Sequence, residues 1–277
     1  MAARTANYER TGMIVLPEID PVAFSIGPLK VRWYGLMYVM GFAAALILGS
    51  KRAGEKHSPL TPAQFQNLLV YAMVGLVAGA RLGYMLFYNS SSLLSNPLEI
   101  LLVWHGGMSF HGGVLGIFVA GCVFARRHHL HILDLGDFVA PLAPPGLFAG
   151  RIGNFINGEL WGRPSDLPWA VVFPGPASGV IPRHPSQLYE AFLEGVLLFF
   201  VLWFFSQKPR PRGTVLGLFL LLYGCLRFGV EFFRQPDIQL GFVALDFLTM
   251  GQILSLPMIG AGFFLVFYRV TRQNEMK

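Results

Sequence analysis

Four short stretches of this chain hold residues able to do chemistry. In LLYGCLRFGVEFFRQPD (221–237), Tyr223, Arg227, Glu231 and Arg234 are spaced by four, four and three residues. A helix therefore puts them on one face. Such a ladder either satisfies itself or aims a guanidinium at a phosphate, which the planar fork of arginine holds at fixed charge. In GRIGNFINGELWG (150–162), Arg151, Asn154, Asn157 and Glu159 fall within nine residues, bordered by glycines. The glycines allow the backbone to leave a helix and approach a ligand; the alternative is a self-satisfied helix terminus. In GGMSFHGG (106–113), His111 follows Ser109 and precedes two glycines. A histidine there is either a hydrogen-bonding support or a base whose ordinary pKa is about 6.5. In KVRWYG (30–35), Lys30, Arg32, Trp33 and Tyr34 form either an interfacial aromatic belt or one wall of a lipid-headgroup pocket. A zinc site is poorly supported, because His105 and His111 are six apart and no HExxH occurs. A serine hydrolase is disfavoured by the lack of GxSxG. Cys122 and Cys225 each sit inside an apolar run and are expected to be buried.

The elements that must hold these groups are helices in a bilayer. Apolar residues make up 54 % of the 277 positions and charged residues 13 %, about half the ~25 % of a soluble domain. Disorder, collagen and a disulfide-rich secreted scaffold are excluded, and an all-α polytopic membrane protein is expected. Seven spans are expected at about 34–50, 65–88, 113–125, 133–152, 188–205, 215–232 and 249–268, at ~20 residues per crossing. The fourth contains Asp134, Asp137 and Pro144-Pro145 and should be kinked or broken. Gly75, Gly79 and Gly83 make a small-residue stripe suited to close helix packing. No cleavable leader is apparent, so the first span is expected to direct insertion.

Orientation follows from the basic residues. The net charge is +6, and 11 of the 21 Lys and Arg follow the first, third, fifth and seventh spans. Those junctions are expected to be cytoplasmic, with the N-terminus outside and the C-terminus inside. The opposite face receives an N-terminal arm (1–32), a re-entrant segment near 97–112 and a Pro- and Trp-rich cap near 158–187. The whole, 1–277, is expected to be a single membrane-embedded domain.

Taken together, these segments resemble the prolipoprotein diacylglyceryl transferase family. The pattern G-R-x-(G/A)-N-F-(apolar)-N-x-E-x-x-G is met at every position of 150–162. GGMSFHGG, RHPSQLYEA (183–191) and 223–237 are similar to further blocks of the family, in order and spacing. The resemblance implies an enzyme of the bacterial cytoplasmic (inner) membrane with its active site toward the outer face. Its donor would be phosphatidylglycerol and its acceptor the lipobox cysteine thiol of a prolipoprotein. The products would be an S-diacylglyceryl thioether and glycerol phosphate, with no metal, organic cofactor or nucleic acid involved.

That chemistry asks for a deprotonated thiol, because an ordinary thiol pKa of about 8.5 leaves little thiolate near neutral pH. It also asks for fixed positive charge on the departing phosphate. His111 is the candidate base, and Arg151 and Arg227 are the candidate phosphate clamps. Asn154, Glu159, Glu231 and Arg234 would orient the arginines. Tyr34, Asn154, Glu159, Tyr223, Glu231 and Arg234 are the further candidate substrate-binding residues. Alternatively an arginine lowers the thiol pKa while His111 only positions the headgroup. On composition alone a transporter fits equally well, but no inverted repeat is evident and the polar groups gather toward one face.

Overall fold

In a computed structural model, residues 13–27, 29–102, 106–236, 241–245 and 247–275 are described. His105 and Asp237, named above, lie outside them. Five helical stretches are long and apolar enough to cross a membrane. They are α1 (Trp33–Ala53), α2 (Pro62–Phe87), Ile132–Ile156, Ser186–Phe205 and the Met250–Phe267 part of the helix Met250–Glu275. The chain is thus a polytopic membrane protein. After the short helix α3 (Ser90–Ser95) comes α4 (Phe110–Arg127), which contains the expected third span and extends it at both ends. The expected sixth span is the apolar helix Thr214–Val230, of 17 residues.

Two of the long stretches are composite. Ile132–Ile156 consists of α5 (Ile132–Val139), a tight turn at Ala140–Leu142, and α6 (Ala143–Ile156). The expected break therefore falls just ahead of Pro144-Pro145. The prolines sit in the first turn of α6, where a missing N–H removes no helical bond. Ser186–Phe205 consists of α7 (Ser186–Glu190), a seven-residue π-helical turn (Ala191–Leu197) and α8 (Leu198–Phe205). Thr214–Val230 and Met250–Glu275 follow as α9 and α10.

Small β elements correct the all-α expectation. Strands β2 (Val22–Ile26) and β3 (Leu29–Arg32) pair antiparallel and lead directly into α1. Strand β1 (Ile14–Val15) runs parallel to β4 (Val171–Val172), which pairs antiparallel with β5 (Pro182–Arg183). Part of the N-terminal segment is therefore a strand of the sheet formed with Val171–Val172 and Pro182–Arg183. Its pairing closes a gap of more than 150 residues, which no local pattern encodes.

The chain divides into two compact units, one comprising the residues up to Ala45 and from Val139 onward, the other Leu46–Phe138. In the second, α2 and α4 meet along the glycine stripe. A Cβ added at Gly79 would lie 2.3 Å from the Gly112 carbonyl oxygen, and one at Gly75 2.5 Å from that of Gly116. Close backbone approach of this kind drives helix association where lipid removes the hydrophobic contrast. Thr61 opens α2 with a capping box completed by Gln64. In the first unit, Ala140, Leu198, Leu202 and Val215 form a core against which Phe205, Leu222 and Leu226 pack. The expectation of two buried cysteines needs correcting. Cys122 is half-buried and Cys225 is exposed on α9, in keeping with a helix face turned toward lipid rather than protein.

Candidate active site

Six charged side chains of the first unit meet in one place. Arg151 projects from the second half of α6, and Arg227 from the last turn of α9. A single carboxylate bridges them: Glu190 Oε2 meets Arg151 Nε, and Glu190 Oε1 lies 2.9 Å from Arg227 Nη1. Glu194, four residues on within the π turn, lies 3.7 Å from Arg151 Nη2 and 3.9 Å from Arg227 Nη1. Glu231 contacts Arg227 Nη2 at 2.8 Å and Arg234 Nη1 at 3.7 Å, at the spacings read from the sequence. It also accepts a 3.0 Å hydrogen bond from the Thr249 hydroxyl. Gly251 makes room for it, since a Cβ there would sit 2.9 Å from the Glu231 carboxylate.

Neither Glu190 nor Glu194 was among the candidates drawn from the sequence. Both side chains are buried, at 2 % and 0 % exposure. The signal was present, because two carboxylates in an otherwise apolar span are costly unless they serve a purpose. The widened turn that carries them is a feature often found at functional sites. Gly195 seats it on α6, where a Cβ would fall 2.6 Å from Phe148 Cβ. Loss of Glu190 would leave two partly buried guanidinium groups poorly paired, a cost of about 3–5 kcal/mol for a buried ion pair. Arg151 retains 19 % exposure, and because Nε takes the tight contact, its terminal nitrogens face a looser environment that can accept an anion.

The 150–162 stretch closes α6 and turns away from it. Gly158 has φ +63°, a conformation glycine adopts without strain. Asn154 Nδ2 donates to Glu159 Oε1 at 3.0 Å, and Asn157 Nδ2 reaches the same oxygen at 3.3 Å. Asn154 and Glu159 thus pair with each other, while Glu190 and Glu194 are the carboxylates on Arg151. Asn154, Asn157 and Glu159 line a cavity of about 850 Å³ with Lys30, Arg32 and Tyr34. Strand β3 supplies its basic side and the start of α1 its Tyr34, while the end of α6 and the loop after it supply its amides and carboxylate.

The RHPSQLYEA stretch locks that loop from behind. Gln187, 1 % exposed, donates to the Glu159 carbonyl at 2.7 Å, and Ser186 donates to that of Leu160 at 3.2 Å. Arg183 donates to the Ser178 and Gly162 carbonyls, at 2.7 and 3.2 Å, and burial lowers its pKa. Trp169 Nε1 donates to the Tyr189 hydroxyl, which lies 3.2 Å from His184 Nδ1. Burial lowers the His184 pKa as well, which suits an imidazole accepting the Tyr189 proton.

His111 belongs to the other unit, in the first turn of α4. Ser109 caps that helix, accepting from Gly112 N at 3.2 Å, and its own N–H donates to the Ala80 carbonyl at 2.9 Å. Arg81, buried in α2, donates to the carbonyls of Gly106, Gly107 and Glu99, the last at 2.6 Å. It anchors the glycine loop before His111, a role the sequence reading missed. His111 is exposed and borders an apolar groove of about 660 Å³ along α2 and α4.

Known proteins share this sequence over nearly its whole length. The family described as prolipoprotein diacylglyceryl transferase matches residues 21–268. A phosphatidylglycerol–prolipoprotein diacylglyceryl transferase of Oleidesulfovibrio alaskensis is 56 % identical over 263 residues, covering 95 % of this chain and 98 % of that one. Proteins of the same name from Coxiella burnetii and Methylococcus capsulatus are 58 % and 56 % identical, over 92 % and 95 % of this chain and 97 % and 100 % of their own. The chain belongs to the prolipoprotein diacylglyceryl transferase family.

Proposed function

We propose that this protein transfers the diacylglyceryl group of phosphatidylglycerol to the lipobox cysteine of a prolipoprotein, with Arg151 and Arg227 holding the phosphate that departs. The thiolate sulfur attacks the glycerol carbon bearing the phosphate ester. A C–S bond forms, the C–O bond breaks, and glycerol phosphate leaves with the bonding electrons. The thiol proton passes to a base, for which His111 is the candidate. Charge grows on the phosphate as the C–O bond breaks, so preorganised guanidinium groups lower the barrier.

The observation that carries this reading is the Glu190 bridge, which holds two arginines from different helices side by side where like charges alone would separate them. The cavity lined by Lys30, Arg32, Tyr34, Asn154, Asn157 and Glu159 suits the rest of the headgroup. Its carboxylate and amides match the glycerol hydroxyls. Tyr223, Glu231 and Arg234 complete the arginine side. The protein sits in the bacterial cytoplasmic membrane, with seven spans, a re-entrant element near 97–112 and an external cap near 158–187. The N-terminus is outside and the C-terminus is cytoplasmic.

The test is a transfer assay in detergent with glycerol-labelled phosphatidylglycerol and a lipobox peptide, read as intact peptide mass. The peptide should gain one diacylglyceryl unit, lose that gain when its cysteine is serine, and lose it again with Arg151→Ala. No gain from folded, lipid-binding protein would overturn the reading.

A further inference from the structure

Glu231 gains little from its own helix. It follows Val230, the last residue of α9, and its N–H donates to the Arg227 carbonyl at 3.2 Å. A carboxylate there meets the negative end of the helix dipole. An acid four residues after its basic partner is also the weaker order of such a pair. Its support comes from the next helix. Thr249 directly precedes α10, and its hydroxyl donates to Glu231 Oε1 at 3.0 Å. Thr249 and Gln252, both buried, close a capping box. The Gln252 N–H donates to Thr249 Oγ1 at 3.3 Å, and the Thr249 N–H donates to Gln252 Oε1 at 3.0 Å. A threonine hydroxyl has one proton to give. With the Gln252 N–H donating into it, that proton is aimed at Glu231. Close backbone approach holds α10 in register with α9. A Cβ at Gly262 would lie 2.6 Å from the Gly217 carbonyl oxygen, and one at Gly224 3.2 Å from that of Ser255.

We propose that Thr249 is a positioning residue for the transfer step: the first turn of α10 fixes Glu231, and Glu231 fixes the Arg227 fork against the departing phosphate. This rests on reading Arg227 as a phosphate clamp. Glu231 Oε1 takes the Thr249 proton, and Oε2 lies 2.8 Å from Arg227 Nη2. Each oxygen thus has its own task, and rotation of the carboxylate would disturb both. Arg227 Nη1 meets Glu190 on α7 at 2.9 Å. Carboxylates tied to two different elements therefore orient one planar group. Gly251, one residue into α10, offers a second way to move Glu231. A Cβ there would lie 2.9 Å from the carboxylate carbon and from both its oxygens. That carboxylate ends a flexible side chain, so it gives way while the helix stays.

The experiment follows transfer from phosphatidylglycerol to a lipobox peptide by the full-length protein in detergent, with thermal unfolding alongside. T249V, T249S and G251A are compared, each alone and combined with R227K. T249V should lower kcat by about tenfold, as for loss of a hydrogen bond to a charged group, with the KM for phosphatidylglycerol within about twofold. T249S keeps the hydroxyl and should stay within about twofold of wild type in both. G251A should slow kcat as T249V does, yet unfold no lower than wild type, because alanine favours a helix over glycine. In the R227K background, T249V and G251A should each cost less than about threefold more, as expected for residues acting through Arg227. The proposal is overturned if G251A or folded T249V keeps the wild-type kcat, if T249S is as slow as T249V, or if the losses multiply in full with R227K. Should T249V fail to fold, G251A decides alone. R227K turning over at the wild-type rate would overturn the clamp reading itself, and this proposal with it.

Discussion

The bridging of Arg151 and Arg227 by one carboxylate determines how the two charges can act. Each guanidinium spends one edge on Glu190, so position and charge are supplied together and little reorganisation remains for the reaction. The proposed role of His111, as the base, is separable in kinetics. We expect His111→Gln to lower kcat by about 10²–10⁴-fold, the range for a general base, while phosphatidylglycerol still binds. A variant keeping most of its rate in single-turnover measurements would exclude His111 as the base. Arg151, Arg227 and Glu231 could be picked out of the sequence because charge within apolar spans is rare. Glu190, Glu194 and Arg81 carry the same signal. Glu190 lies within RHPSQLYEA and Arg81 within the glycine stripe, whereas Glu194 stands beyond that block in an apolar run. Their partners are remote in sequence and only the fold reveals them.

The π turn and the stretch before it link the two halves of the site. The segment bearing Glu190 also bears Ser186 and Gln187, which hold the Glu159–Leu160 backbone. One element thus sets both the arginine bridge and the loop lining the cavity beside Lys30 and Arg32. We expect Gln187→Leu to remove the hydrogen bond to the Glu159 carbonyl, costing about 0.5–1.5 kcal/mol, and to raise the KM for phosphatidylglycerol more than it lowers kcat. Thermal unfolding and steady-state kinetics would show both, and an unchanged KM would remove Gln187 from the lipid site. The long helices were legible from hydropathy, and the break near 144 from its prolines. The π turn was not, because its residues have the same hydropathy as an α-helix. The sheet of β1, β4 and β5 was not either, because two-residue strands carry no periodicity and β1 finds its partner far along the chain.

Across the bilayer, the basic junctions and the cap should lie on opposite sides. With Cys122 and Cys225 replaced by alanine, Asp166→Cys in the cap should react with an impermeant maleimide on intact spheroplasts. Gln207→Cys should react only after permeabilisation, and the reverse pattern would invert the topology. Both positions are exposed, so reactivity reports sidedness rather than burial. The paired guanidinium forks are proposed to stabilise the departing phosphate. The most direct test replaces each by a charge without a fork, Arg151→Lys and Arg227→Lys, and measures kcat and KM separately in the transfer assay. We predict that kcat falls by about 10²-fold or more in each, as for loss of one preorganised donor, with a smaller change in the KM for phosphatidylglycerol. Folded lysine variants that turn over at the wild-type rate would contradict the account.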